Sequence, residues 1–105
     1  QPHTYSRTQA LMAGFVRAFK DADHVMVTYI YGAREQPIPG IDGKSVAKSL
    51  KGYHKDAVYS GDLEATAARL AKKVRGKSVV ILFSAGDAPK IGQMLLEAKS
   101  AARRA

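Results

Sequence analysis

Three short stretches of this sequence concentrate residue types that bind anions or position reacting groups. His3-Thr4-Tyr5-Ser6-Arg7-Thr8 joins hydroxyls to one arginine where a loop enters a predicted helix. A helix start offers unpaired backbone N–H groups and the positive end of the helix dipole. An arginine beside it adds a planar fork for a carboxylate or phosphate. The plain alternative is a capped helix with a solvent-facing arginine, and composition alone favours it. Ser84-Ala85-Gly86-Asp87 leaves a predicted strand and enters a predicted helix. In open parallel sheets ligands collect at the carboxyl ends of strands, and Gly86 would let backbone approach one closely. A tight turn with Asp87 as N-cap explains the same residues equally well. Ala33-Arg34-Glu35 lies in the long loop after the other strong strand, so both loops should open on one edge of the sheet. That convergence raises a functional reading above what either loop supports alone.

Other chemistries are excluded by spacing. Gly43-Lys44-Ser45 and Gly76-Lys77-Ser78 suggest a phosphate loop, but the glycine required five positions earlier is Ile38 or Ala71. No G-x-G-x-x-G occurs, so the dinucleotide fingerprint is missing. His3, His24 and His54 show no metal-ligand spacing, and His24 and His54 read as surface residues flanking elements. A Ser-His-Asp triad would need a nucleophile elbow, which the chain lacks. Cysteine is absent, which removes disulfides, thiolate nucleophiles and Cys-based zinc sites.

The elements that must position these residues alternate. Residues 7–22 read as a helix with a stripe of Leu11, Phe15, Phe19 and Ala22, started by a capping box of Ser6 and Gln9. Residues 25–31 (VMVTYIY) form a strand apolar on both faces, as in a buried parallel sheet. A loop over 32–43 precedes a helix at 44–51 with Val46 and Leu50 inward. Residues 57–59 form a short strand. Asp62 caps a helix at 63–75 with a stripe of Leu63, Ala67, Leu70 and Val74. Residues 79–83 (VVILF) read as the second strong buried strand, and a last helix at 88–103 turns Ile91, Leu95, Ala98 and Ala102 to one face. The expected fold is α/β: a three-layer Rossmann-like single domain with a mainly parallel sheet. Three strands are thin for four helices, so a strand is expected to be missing before Gln1.

With 105 residues, 46% hydrophobic and 25% charged, the chain can bury one core. No apolar run approaches the ~20 residues of a membrane span, and the polar N-terminus lacks a signal-peptide core. A cytoplasmic location is the natural expectation, with no membrane partner. Seventeen Lys and Arg against nine Asp and Glu give a formal charge of +8, which suits an anionic partner or merely a solvated surface.

Residues 1–8 (QPHTYSRT), 30–40 (IYGAREQPIPG) and 84–87 (SAGD) occur in an order and spacing that resembles the C-terminal domain of the Mur ligases, nearest to the L-alanine-adding branch. The resemblance runs through essentially the whole chain. It implies a cytoplasmic, three-domain ligase of peptidoglycan precursor synthesis that depends on ATP and Mg2+. ATP would phosphorylate the carboxylate of UDP-N-acetylmuramate. The amino group of L-alanine would then attack the acyl phosphate, giving an amide, ADP and phosphate. This chain would be most of the third domain, lacking its first strand and helix, binding neither ATP nor Mg2+ nor any other metal alone, and inactive alone.

By the same resemblance, His3, Thr4 and Arg7 would bind substrate. Arg7 matches the second arginine of the family's His-Arg-Tyr-Ser-Arg pattern and would hold the amino-acid carboxylate. Thr4 stands where many relatives have the first arginine. Arg34, Glu35, Ala85, Gly86 and Asp87 would lie at the domain-closure or nucleotide side, and no residue of this domain would be catalytic. Tyr29 replaces a common acidic residue and Ser84 a common glycine. A different class of function stays open on the residues alone: a free-standing basic α/β module for nucleic acid or another anion. The aromatics lie mostly in predicted core elements, without a stacking platform, so nucleic acid is not expected as a partner. A third reading is a structural module that only docks onto a partner.

Overall fold

The computed structural model describes residues 1–104. Strand β1 (Val25–Thr28) pairs in parallel with β2 (Ala57–Gly61), Val25 opposite Ala57 and Val27 opposite Tyr59. Thr28 then meets Gly61, so Ser60 is the extra residue of a bulge. Helices α1 (Tyr5–Phe15), α2 (Gly43–Leu50), α3 (Leu63–Lys73) and α4 (Pro89–Arg104) complete the described elements. The fold is α/β with a parallel strand pair and helical crossovers, consistent with a Rossmann-like domain.

Local sequence explains the well-packed half. Asp42 accepts from the Ser45 amide at 2.7 Å, and the Ser45 hydroxyl accepts from the Asp42 amide at 3.0 Å, which makes a complete capping box for α2. Val46 and Leu50, one turn apart, are then fully buried against the strands, in a cluster with Val25, Val27 and Ala57. A Cβ on Gly43 would collide with the Thr28 carbonyl and the Tyr59 ring, so only glycine lets α2 start this close to β1. Asp62 caps α3 by accepting from the Ala65 amide at 2.8 Å, as its position predicts. A second cluster joins Leu63 and Ala67 of α3 to Ala88 and Ile91, with Leu82 packed against it. Lys99 of α4 donates to the Ala71 and Val74 carbonyls at 2.8 and 2.7 Å, satisfying the end of α3.

Several expectations are corrected. Residues 79–83 form no strand ladder, and Val79 and Ile81 are 87% and 67% exposed. Their apolar composition has no neighbouring strand to pair with, because a groove of about 1140 Å³ separates them from β1. The first helix begins at Tyr5 and ends at Phe15, with 16–21 in turns. Its N-cap is Thr4, not Ser6, and Leu11 faces solvent while Thr8 and Val16 are buried. In α4, Ala98 is exposed, and only Ile91 and Leu95 carry the buried stripe. His54 is a core residue. Its Nε2 donates to the Ala22 carbonyl at 2.7 Å, and its Nδ1 accepts from the Asp56 amide at 3.0 Å. His24 does lie at the surface, paired with Asp56, which also takes Lys73 at 3.1 Å.

Candidate functional site

Residues 1–4 are tied to the end of the β1 segment. The Tyr31 amide donates to the Pro2 carbonyl at 2.9 Å, and the Thr4 amide donates to the Tyr31 carbonyl at 2.8 Å. His3 forms a parallel bridge with Tyr31, and the two rings stack at 5.7 Å between centroids. Thr4 takes a positive φ of 59° and accepts from the Arg7 amide at 3.3 Å. Its hydroxyl is thus spent on starting α1.

The first amides of α1 already hold a carboxylate. Gly32 to Glu35 turn back on themselves, with the Glu35 amide donating to the Gly32 carbonyl at 3.0 Å and Ala33 at a positive φ of 55°. The Glu35 carboxylate then accepts from the Tyr5 and Ser6 amides at 2.8 and 3.0 Å and from the Ser6 hydroxyl. The Ser6 hydroxyl, followed by the Ser6 and Tyr5 amides, holds the Glu35 carboxyl below its ordinary range. The helix start does bind a carboxylate, as its chemistry predicts, but one from this chain. What stays available to a ligand is the Arg7 side chain, which is exposed. Arg7 lines a small cavity of about 220 Å³ with His3, Leu11, Ser84 and Ala85. Arg34 is exposed and makes no hydrogen bond or ion pair with the described residues.

The 84–87 turn meets the same edge. Asp87 accepts from the Tyr29 hydroxyl at 3.0 Å and from the Gln1 side-chain amide at 2.8 Å. Gln1 first, then Tyr29, holds the Asp87 carboxyl below its ordinary range, against the cost of partial desolvation. Desolvation, and then the bond to Asp87, pushes the Tyr29 hydroxyl up. The Gln1 side-chain oxygen Oε1 accepts from the Ser84 hydroxyl at 2.9 Å and the Ala88 amide at 3.3 Å. A Cβ on Gly86 would lie 2.5 Å from the Tyr31 ring. Gly86 therefore lets the turn pack against an aromatic ring of the chain itself, and the Asp87 carboxylate faces Tyr29 and Gln1 rather than capping α4.

The 84–87 turn thus meets the β1 segment through Gln1 and Tyr29, residues that sequence reasoning missed, while Glu35 of the other loop turns to the start of α1. Tyr29 had a usable signal: a tyrosine near the end of an apolar strand needs a partner for its hydroxyl. Gln1 had none. Among the described residues no group of three or more His, Asp or Glu comes together as a metal site. No described helix is long and apolar enough to cross a membrane.

The domain is thus an α/β unit in which the 84–87 turn meets the β1 segment, with the exposed Arg7 side chain beside Ser84 and Ala85. No protein-family model matches the chain. Curated relatives do match. The chain is 44% identical over 101 residues to the UDP-N-acetylmuramate–L-alanine ligase of Desulfatibacillum aliphaticivorans, which covers 95% of this chain and 22% of that protein. It is 46% identical over 98 residues to the ligase of the same name from Syntrophotalea carbinolica, covering 92% and 21%. With that of Acetivibrio thermocellus the identity is 39% over 99 residues, covering 94% and 21%. The chain is similar to these ligases along 92–95% of its own length and spans about a fifth of theirs.

Proposed function

We propose that this chain is the C-terminal, amino-acid-positioning domain of a cytoplasmic ligase that joins L-alanine to UDP-N-acetylmuramate through an acyl phosphate. The observation that carries this reading is the match to L-alanine ligases along 92–95% of the chain. In the complete enzyme ATP, with Mg2+, supplies the phosphoryl group that activates the sugar carboxylate. Both bind outside this domain, and the chain alone is inactive.

The part of this chain is to hold the amino acid. Arg7 leaves the first turn of α1 with its guanidinium free, and its fork pairs with the amino-acid carboxylate. A carboxylate anchored there fixes the direction of the amino group, and near-attack geometry lowers the barrier to amide formation. Glu35 and Thr4 hold the start of α1 so that Arg7 has a defined origin. His3, stacked on Tyr31, supports the neighbouring wall. Arg34, Ala85, Gly86 and Asp87 form the edge that closes on the nucleotide-binding part, and closure keeps water from the acyl phosphate.

The test is Arg7→Ala in the complete ligase that carries this segment. A charge-assisted bond is worth about 1.5–3 kcal/mol, so the KM for L-alanine should rise roughly 10- to 100-fold. The KM for ATP should hardly move. Equal effects on both, or none on either, would overturn the role of Arg7.

A further inference from the structure

Helix α2 has two unlike sides. Gly43, Val46, Ala47 and Leu50 are buried against the strands. Every other residue of the helix is a lysine or a serine: Lys44, Ser45, Lys48 and Ser49. Lys51 follows as the C-cap, still in helical conformation. Lys44, Lys48 and Lys51 therefore stand at spacings of four and three along one exposed stripe. Arg17 adds a fourth cation. Its Cζ lies 5.3 Å from the ring centroid of Tyr53, which follows α2 and is 54% exposed. The Lys44 ammonium is held in the same way over Tyr59 of β2, at 5.9 Å. No acidic residue occurs from 43 to 55. The acids at the two ends are engaged elsewhere, Asp42 by the Ser45 amide and Asp56 by His24 and Lys73. Asp21 and Asp23 line the large groove with Lys55, and none of the four cations lines it. Like charges four apart on a helix repel, so an anionic partner would stabilise this face.

The chemistry of the face selects that partner. None of the four cations lines the cavity beside Arg7 either, so they suit an extended anionic surface rather than one phosphate. Lysine is depleted at protein–protein interfaces. Tyr53 and Tyr59 are taken up by their cations and offer bases no open stacking platform. A cluster of four Lys and Arg on an amphipathic helix instead matches the headgroups of anionic lipid. A half-exposed tyrosine suits the headgroup level. We propose that the outer face of α2, with Arg17 and Tyr53, is a peripheral docking surface for a bilayer rich in anionic lipid. The apolar side of α2 is spent on the core, so the domain rests on the headgroups without inserting. That no described helix can cross a membrane does not bear on a contact of this kind. The proposal uses no residue of the Arg7 edge and stands apart from the ligase reading.

The test is co-sedimentation of the whole protein that carries this chain with vesicles of phosphatidylcholine, alone or mixed two to one with phosphatidylglycerol. Binding should occur to the mixed vesicles only and should fall as salt rises. A lysine near such a surface contributes about fivefold, so Lys44→Gln, Lys48→Gln and Lys51→Gln together should weaken binding about 100-fold. Arg69→Gln, Lys72→Gln and Lys77→Gln together remove the same charge from the α3 side and should weaken it by less than about threefold, because salt screens distant charges. All six positions are exposed, so both variants should keep the parent's circular dichroism. No binding to the mixed vesicles, equal binding to phosphatidylcholine alone, or equal loss in the two triple variants would overturn the proposal. So would binding of poly(U) RNA or of polyglutamate through the same three lysines that is tighter than binding of the mixed vesicles.

Discussion

β1 and residues 79–83 are close in composition, yet they end in opposite states. Val27 is 3% exposed and paired on one side, while Val79 is 87% exposed and unpaired. Both stretches are rich in β-branched residues, so strand preference does not separate them. Neighbours do. β1 has β2 at its edge and Val46 and Leu50 of α2 over it, whereas 79–83 is held through Leu82 on the α3–α4 cluster and an edge contact of Phe83 with Phe19. A sequence pattern states that a segment suits a buried sheet. Burial itself requires strands on either side, and those come from elsewhere in the chain.

Core truncations should show this contrast most strongly. Leu50→Ala should cost about 2–5 kcal/mol by urea unfolding, the usual range for a fully buried leucine. Ile81→Ala should stay within about 0.5 kcal/mol, as for an exposed position. Comparable losses at both sites would break the distinction between a packed half and an open half.

A smaller effect sharpens how the open half is held. Tyr29→Phe removes the donor from the β1 segment to Asp87 and should cost about 0.5–1.5 kcal/mol. It should also raise the Asp87 pKa toward the ordinary carboxylate value, which carboxyl NMR titration can follow. An unchanged pKa would mean that Gln1 alone sets it.

The smallest expected effect is at Glu35. Its folded-state pKa is lowered, so the folded chain binds fewer protons there than the unfolded chain. Its stabilisation is therefore full above the unfolded pKa, near 4.5, and is lost as pH falls through the folded value. Glu35→Gln should flatten the acid limb of the stability curve and speed amide exchange at Tyr5 and Ser6, leaving β1 unaffected. An acid limb identical to that of the parent would remove Glu35 as the cap of α1.

Local signals made part of this molecule legible. The helix–strand alternation, the β1 position, the Asp62 cap and the inward pair Val46 and Leu50 all follow from spacing within a few residues. Features set by distant partners were not legible. The start of α1 depends on Glu35, 29 and 30 residues beyond the amides it caps. The burial of His54 depends on the Ala22 carbonyl, 32 residues away. The end of α1 at Phe15 cut short a pattern that ran on to Ala22; of the residues beyond, Val16 and Phe19 pack against the core from turns. At the candidate site, parallel-sheet topology led to the expectation that the 84–87 turn lies at the carboxyl end of β1, and the turn does meet Tyr29 and Tyr31. The agents of that contact, Gln1 and Tyr29, were not legible, because their bonds to Asp87 span 86 and 58 residues.

The most direct test of the central claim is a transplant. The matching fifth of the Desulfatibacillum aliphaticivorans ligase would be replaced by this chain, and phosphate release measured with UDP-N-acetylmuramate, ATP and L-alanine. The account predicts release that depends on L-alanine, saturates with it, and weakens in L-alanine affinity when the transplanted segment carries Arg7→Ala. A folded chimera that binds ATP and UDP-N-acetylmuramate yet releases no phosphate in response to L-alanine would contradict it.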